Sequence, residues 1–365
     1  MTYTLITEPQ ALSDFCQTSA PILALDTEFI RTRTFYAKPG LYQVFDGVQT
    51  VLIDPLAVSD LAPLWQLLED SNRICVLHAG GEDIELLHQQ SGSVPARIHD
   101  TQLAAAFLGL GAQIGFAPLV NALLDVQLDK ANARTDWLAR PLSGSQLNYA
   151  ADDVIYLYPI YQELMTRLQQ RGLMAWFEQE CERTVKRRIT SSDPALAYLD
   201  IKHAWTLDRK GLAILQRLSE WRLSEARRRD LAVNFVVKEA HLFKIAERAP
   251  TCLEELAKLE LDAMEVRRHG ETLLKLVQQA LENTSQWPPL IQRLIDFPAY
   301  KSELKRIKGL IDEAALQASI PAEVIASKRL IHQYLSWKWR LEENPAKLPV
   351  LLQDWRGELL ASSLG

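Results

Sequence analysis

Two acidic residues alternate within an otherwise apolar stretch near the start of the sequence. The segment LALDTEFIR (residues 23–31) has the composition of a buried strand, yet it contains Asp26 and Glu28. Alternate residues of a strand point to the same face, so the two carboxylates are expected side by side. Neighbouring buried carboxylates cost free energy unless a cation lies between them. The stretch therefore predicts a metal site.

Three further residues could complete such a site. Asp83 follows the short apolar segment RICVLHAG (residues 73–80), at the start of a predicted helix. Tyr149 and Asp153 are four positions apart in YAADD, so they share one face of another predicted helix. Each has an ordinary structural explanation when taken alone, because a helix-start Asp usually caps its helix and such pairs usually lie on a surface. Together with Asp26 and Glu28, and in this order along the chain, they are a more specific sign of a metal site.

The chemistry that fits this set is hydrolysis of a phosphodiester with two divalent ions. Two ions roughly 3.5–4 Å apart can activate a water molecule, stabilise the pentacovalent phosphorus and stabilise the leaving oxygen. Mg²⁺ and Mn²⁺ both accept carboxylate oxygens as ligands. The sequence thus predicts two divalent metal ions, Mg²⁺ or Mn²⁺, as cofactors.

Three motifs, LALDTEF, HAGGEDIELL and YAADDVIYL, resemble in this order the exonuclease motifs of the DEDD superfamily of 3′→5′ exonucleases. The tyrosine of the third motif is typical of the DEDDy branch. Further segments, among them RTDWLARPL, DLAVNFVVKE and WRGEL, extend the resemblance over the whole chain to the bacterial ribonuclease D family. The resemblance implies a hydrolytic 3′→5′ exoribonuclease that releases 5′-monophosphates, acting on tRNA precursors with extra 3′ nucleotides.

The resemblance also implies a role for each residue of the set. Asp26 would bridge both ions, and Asp83 would support the second ion. Glu28 and Asp153 would hold the ion that activates the attacking water. Tyr149 would orient that water through a hydrogen bond. The sequence departs from the family pattern at Asp152, which stands where a small apolar residue is expected and could face solvent or replace its neighbour as a ligand.

Basic residues in two segments could bind the RNA backbone or form local salt bridges, and the sequence leaves both interpretations open. The segments are LDKANARTDWLARPL (residues 128–142) and WRLSEARRR (residues 221–229). The candidates are Lys130, Arg134, Arg140, Arg222, Arg227, Arg228 and Arg229.

Strand and helix patterns alternate in residues 1–172, which predicts an α/β domain. They include a hairpin around Asp46 and Gly47 and a long helix capped by Ser143. With the resemblance, this is an RNase H-like DEDD exonuclease domain with a mixed sheet flanked by helices. No convincing strand pattern follows residue 173. We expect a helical connector at residues 173–204 and two all-α HRDC-type domains at residues 205–284 and 285–365.

The composition is compatible with this interpretation. A chain of 365 residues with 48% hydrophobic content can form several packed domains. The net charge is −6, but residues 1–150 hold 8 Lys and Arg against 16 Asp and Glu, and the remainder is close to balanced. Apolar runs fall short of the roughly 20 residues that a membrane span needs. Four dispersed cysteines and the absence of an apolar leader predict a cytoplasmic protein, expected to be a monomer.

Two other functions remain open at this point. The same carboxylates could serve a DNA 3′→5′ exonuclease. A catalytically inactive RNA-binding scaffold is a second alternative, although the intact five-residue set argues against it. The sequence lacks GxxxxGK[ST], so neither a helicase nor a nucleotide cofactor is expected.

Overall fold

The computed structural model describes residues 2–128, 135–282 and 284–364. The strands in these ranges are β1 (Thr4–Ile6), β2 (Ile22–Ile30), β3 (Lys38–Phe45), β4 (Thr50–Ile53), β5 (Ile74–Leu77) and β6 (Ile98–Asp100). The α-helices are α1 (Pro9–Phe15), α2 (Ala62–Glu69), α3 (Gly81–Ser91), α4 (Thr101–Phe107), α5 (Phe116–Leu124), α6 (Gly144–Gln170), α7 (Met174–Ile189), α8 (Arg209–Arg229), α9 (Val233–Val236), α10 (Glu239–Arg248), α11 (Leu253–Ala257), α12 (Ala263–Glu282), α13 (Tyr300–Ala318), α14 (Ala322–Ile325), α15 (Lys328–Arg340) and α16 (Asp354–Leu364). Short 3₁₀ helices cover Pro194–Asp200, Ala204–Thr206, Thr284–Gln286, Leu294–Asp296, Pro345–Lys347 and Val350–Leu352.

The chain forms two compact units. The first unit contains Met1–Ile30, Lys38–Thr190 and Pro298–Gly365, and the second contains Arg31–Ala37 and Ser191–Phe297. None of the described helices is long and apolar enough to cross a membrane. The four cysteines are free thiols.

A six-stranded mixed sheet forms the centre of the first unit, which confirms the predicted fold class. The strand order is β1-β4-β3-β2-β5-β6. β3 pairs antiparallel with both β2 and β4, and the other pairings are parallel. The predicted hairpin joins β3 to β4, where the Asp46 carboxylate accepts hydrogen bonds from the N–H groups of Val48 and Gln49. β2 is therefore an inner strand with partners on both sides.

Helix α6 covers one face of this sheet. It begins with the predicted cap at Ser143, whose side chain forms a capping box with Gln146. Its small buried residues Ala150 and Ala151 pack with Leu41 of β3 and Leu52 of β4. Alanines in the contact allow a helix to lie close to a sheet, so polar side chains on the same helix can reach β2.

The C-terminal helices belong to the first unit through a buried ion pair. Nη1 of Arg356 in α16 lies 2.5 Å from Oε2 of Glu180 in α7, and both side chains are buried. Trp176 stacks on Trp355 at 5.4 Å between ring centroids. The Arg356 guanidinium also donates to the carbonyl of Ile325. Helices α7, α14 and α16 are thus held together by one cation.

Helices α8–α12 of the second unit pack around their own core. This agrees with the prediction that this part of the chain is helical. Leu215 and Leu218 of α8 pack with Leu242 of α10 and Leu273 of α12. The domain boundaries at residues 205–284 and 285–365 stay a prediction.

Candidate active site

Strand β2 presents two of the predicted residues. Asp26 and Glu28 alternate along it and lie opposite Gln43 and Leu41 of β3 in the antiparallel ladder. The ladder is irregular just beyond Glu28, at Phe29. β2 pairs with β5 over Ile22–Ala24 and with β3 over Ala24–Ile30, so ladder hydrogen bonds support its backbone at both carboxylate positions.

Asp83 enters the site from the first turn of α3. The turn between β5 and α3 is held by the Asp100 carboxylate, which accepts hydrogen bonds from the N–H groups of Ala79 (3.0 Å) and Gly80 (3.1 Å). The buried Asp83 carboxylate accepts a short hydrogen bond from the Thr27 hydroxyl. Thr27 was not predicted as a site residue, since strand alternation places it on the face opposite its two acidic neighbours.

Helix α6 brings the remaining two residues over β2. Carboxylate oxygens of Asp26, Glu28 and Asp153 lie within 4.8 Å of one another. Tyr149, one turn earlier on α6, forms a hydrogen bond with Asp153. All five predicted residues line one cavity of about 260 Å³; its other lining residues are Thr27, Phe29, His78, Ala79, Glu82, Phe116 and Leu157. The structure therefore brings the predicted set together.

Burial raises the pKa of every carboxyl group in this set. The pKa of Asp26 rises well above its usual range through burial and the neighbouring Asp83, Asp153 and Glu28 charges. The pKa of Glu28 rises to about 9, first through burial and then through Asp153 and Asp83. Burial raises the pKa of Asp153 to about 7 and that of Asp83 to about 6, although hydrogen bonds from Tyr149 and Thr27 oppose the shifts.

The donor set of the cavity fits divalent cations. Neither lysine nor arginine is found among the described lining residues, so the carboxylates have no cationic partner from the chain there. Hard oxygen ligands in a compact cluster are what Mg²⁺ and Mn²⁺ bind. The acidic cluster therefore supports the divalent metals that the sequence predicted.

Tyr149 remains a protonated phenol in this environment. Burial and the charges of Asp153, Glu28 and Asp26 raise its pKa above the usual range for tyrosine. It can donate or accept a hydrogen bond but is a poor base. The predicted role of Tyr149 in orienting water needs a hydrogen-bonding hydroxyl rather than a base, and that role stays a prediction.

Two neighbours of the set have other contacts. His78 binds the hydroxyl of Thr101 through Nδ1 (3.0 Å) and the carbonyl of Ile114 through Nε2 (3.1 Å), so both ring nitrogens are occupied. Asp152 does not line the cavity, and its charge raises the pKa of Asp153. Its influence on the cluster is therefore electrostatic.

The candidate RNA-binding residue Arg140 is engaged within the first unit. Its Nε and Nη2 bind the two oxygens of Asp54 at 2.6 and 2.7 Å. Its remaining hydrogens go to the carbonyls of Gly40, Trp137 and Ala139. These contacts favour the local salt-bridge alternative for Arg140. Lys130 and Arg134 lie outside the described residues.

The arginine cluster of α8 also has partners within its own unit. Arg222 is buried, and its Nη1 donates to the carbonyl of Val237 at 3.3 Å. Arg228 and Arg229 pair with Glu225. Arg227 donates to the carbonyl of Ser192 at 2.9 Å. RNA binding by these four arginines stays a prediction, and burial makes Arg222 the weakest candidate.

Three protein-family models match the chain. A 3′-5′ exonuclease model matches residues 3–169, an HRDC domain model matches residues 211–277, and a model of the C-terminal HRDC domain of ribonuclease D matches residues 298–364. The second and third matches fall within the two predicted helical domains.

Curated relatives and a solved structure match this chain over nearly its whole length. Ribonuclease D of Psychromonas ingrahamii is 43% identical over 99% of this chain and 98% of its own length. Ribonuclease D of Escherichia coli is 45% identical over 100% and 98%. The crystal structure of Escherichia coli RNase D, described as an exoribonuclease involved in structured RNA processing, superimposes with a TM-score of 0.95 over 100% of this chain and 98% of that one.

Proposed function

The chain belongs to the ribonuclease D family and is a 3′→5′ exoribonuclease, and from this premise we propose that its acidic cavity is the catalytic site. The catalytic residues are Asp26, Glu28, Asp83, Tyr149 and Asp153. The observation that carries the proposal is the convergence of three carboxylates from β2 and α6 within 4.8 Å, beside Asp83 and Tyr149, in a domain that matches a 3′-5′ exonuclease model.

The four carboxylates are the ligands for two divalent ions, Mg²⁺ or Mn²⁺. The charges of the other three acids all act on Asp26, which suits a residue shared by both ions. Glu28 and Asp153 would complete one site, and Asp83 would complete the other. When bound, the ions supply water activation and charge stabilisation at the phosphorus and the leaving oxygen.

The chain's own residues position these ligands and the reactants. The Thr27 hydroxyl fixes one oxygen of Asp83. The Tyr149 hydroxyl, protonated and adjacent to Asp153, orients the attacking water toward the terminal phosphodiester. Phe29, Phe116 and Leu157 provide an apolar wall beside the acids, which favours contact with a nucleobase over bulk water.

The substrate proposed is a tRNA precursor with extra 3′ nucleotides. Support comes from the family and from the structural match to an exoribonuclease involved in structured RNA processing. The HRDC-type helical domains, proposed at residues 205–284 and 285–365, are candidates for holding the structured part of the RNA. We further propose that the protein is a cytoplasmic monomer.

The experiment uses a 5′-labelled tRNA precursor with several extra 3′ nucleotides, incubated with Mg²⁺, Mn²⁺ or EDTA. We expect a ladder that shortens from the 3′ end and requires metal. Asp26→Asn should abolish the ladder, because the shared ligand loses its charge. Asp152→Asn is the matched control, because Asp152 is the α6 acid next to Asp153 and does not line the cavity.

Each alternative outcome is informative. Retained RNA binding without shortening by the wild-type protein would favour the scaffold alternative. Shortening of DNA but not of RNA of the same sequence would favour the DNA exonuclease. Equal loss of activity in Asp152→Asn and Asp26→Asn would contradict the assigned ligand set.

A further inference from the structure

Gln43 of β3 is fully buried and lacks hydrogen-bond partners. It is 0% exposed, and neither its Nε2 nor its Oε1 has a partner among the described residues. A buried amide without partners loses its hydration with no compensation, which makes it an expensive choice inside a sheet. Its retention in a core position requires an explanation.

The sheet register places this amide directly beside the acidic cluster. Gln43 lies opposite Asp26 on β2 and opposite Leu52 on β4. Its same-face neighbours along β3 are Leu41 and Phe45, both packed under α6. Three of these four neighbours are apolar, and the fourth is the proposed shared metal ligand.

We infer that Gln43 is a positioning residue for Asp26, and that its Nε2–H donates to the Asp26 carboxylate in the metal-loaded protein. This inference rests on the proposed two-metal site. Directly opposite residues of an antiparallel pair have Cβ atoms roughly 4.5–5.5 Å apart, a gap that a glutamine side chain spans with a change of rotamer.

The hydrogen bond has a defined task. A carboxylate shared by two ions must present its oxygens in fixed directions, and outer partners of metal ligands commonly provide this orientation. β2 already fixes the backbone of Asp26, and Thr27 fixes Asp83. Asp26 itself has a backbone hydrogen bond from Thr27. The Gln43 amide would restrain the carboxylate from the sheet side, leaving its other lone pairs toward the cavity.

The test measures metal binding through protein stability, so it does not depend on RNA cleavage. Thermal unfolding of wild type and Gln43→Leu is followed in EDTA and during titration with MnCl₂. Leucine keeps most of the volume and removes the amide. We expect an unchanged or higher midpoint for Gln43→Leu in EDTA, together with an increase of about 10-fold in the Mn²⁺ concentration that gives half of the stabilisation. Activity should require correspondingly more Mn²⁺, with an unchanged KM for RNA.

Ser219→Ala is the matched control, because it removes another buried and unpartnered polar group from α8 in the second unit. It should leave the Mn²⁺ dependence unchanged. Gln43→Met is a second variant with a more adaptable side chain. A Mn²⁺ dependence of Gln43→Leu within two-fold of wild type would overturn the inference.

Two further outcomes would also overturn it. Failure of both Gln43 variants to fold in EDTA would show that Gln43 stabilises the sheet itself, independently of metal. A wild-type protein that gains no stability from Mn²⁺ or Mg²⁺ would overturn the metal site and this inference together. If wild type is stabilised by Mn²⁺ and Gln43→Leu responds in the same way, only the inference about Gln43 fails and the proposed function stands.

Discussion

The substitution Asp153→Asn is expected to stabilise the metal-free protein while it removes metal binding. A carboxylate oxygen of Asp153 lies within 4.8 Å of those of two other acids, and burial raises the pKa of Asp153 from 3.8 to about 7. Asparagine keeps the size and can still hydrogen-bond with Tyr149, but it carries no charge. Without ions, the substitution therefore removes repulsion and a buried ionisation.

The magnitude follows from the pKa difference between the folded and unfolded states. Between about pH 3.8 and pH 7 the folded protein holds the Asp153 proton and the unfolded chain has lost it, so stability falls as pH rises. Each pKa unit corresponds to about 1.4 kcal/mol, so the loss approaches roughly 4 kcal/mol above pH 7. Asp153→Asn avoids this loss. Its advantage over wild type in EDTA should grow by roughly 2–3 kcal/mol between pH 5 and pH 8.

Calorimetry in EDTA at pH 5, 6, 7 and 8 measures this directly. Each kcal/mol shifts the midpoint by about 2–4 °C for a unit of this size. With saturating Mg²⁺ or Mn²⁺ at pH 8 the order should reverse, because wild type gains ligand-induced stability that the variant has lost. Asp312→Asn, an exposed change on α13, serves as the control and should follow wild type.

Two results would refute the reasoning. A variant less stable than wild type in EDTA at both pH 5 and pH 8 would show that the Asp153 carboxylate stabilises the empty site. A metal response equal to that of wild type would show that Asp153 is not a ligand.

Three other measurements test separate parts of the structure. Tyr149→Phe should lower the rate about 100-fold while keeping the metal-induced rise in Tm, because the hydroxyl orients water and holds no ion; loss of that rise would contradict this role. Arg356→Met should destabilise the protein by roughly 3–5 kcal/mol in urea unfolding, because Glu180 loses a buried partner, and adding Glu180→Met should recover part of the loss; additive losses would refute the pairing. Burial lowers the pKa of His99 to about 4, so the folded protein binds fewer protons than the unfolded chain and loses up to roughly 3 kcal/mol as pH falls from 6.5 to 4. His99→Phe should flatten that part of the pH profile, and an unaltered profile would assign the acid sensitivity to other groups.

Local patterns predicted the elements of the site well. The strand around Asp26, the hairpin at Asp46, the helix of Asp83 and the helix capped by Ser143 are all confirmed. Each depends on signals within a few residues, such as alternation, capping and turn composition. Two-metal chemistry and the resemblance of the ordered motifs to the DEDD exonucleases then predicted that the acidic residues meet.

These local patterns could not predict contacts between segments that are far apart in sequence. The hydrogen bond between Thr27 and Asp83 joins residues that periodicity assigns to different surfaces. The pairing of Glu180 with Arg356 depends on packing of helices far apart in sequence. The sequence did contain a signal that Arg222 is buried. Arg222 continues the i, i+3, i+4 pattern of the buried residues Leu215, Leu218 and Ala226. Its location inside an arginine-rich segment obscured that pattern.

The buried pair of Glu180 and Arg356 has a consequence for biosynthesis. The two residues are 176 positions apart, and the intervening chain includes nearly all of the second unit. At roughly 5–20 residues per second, a ribosome delivers Arg356 about 10–35 s after Glu180. Arg183, which also donates to the Glu180 carboxylate in the folded protein, is already synthesised during that interval. The first unit therefore begins to fold early in translation but cannot complete its core until the C-terminal helices leave the ribosome.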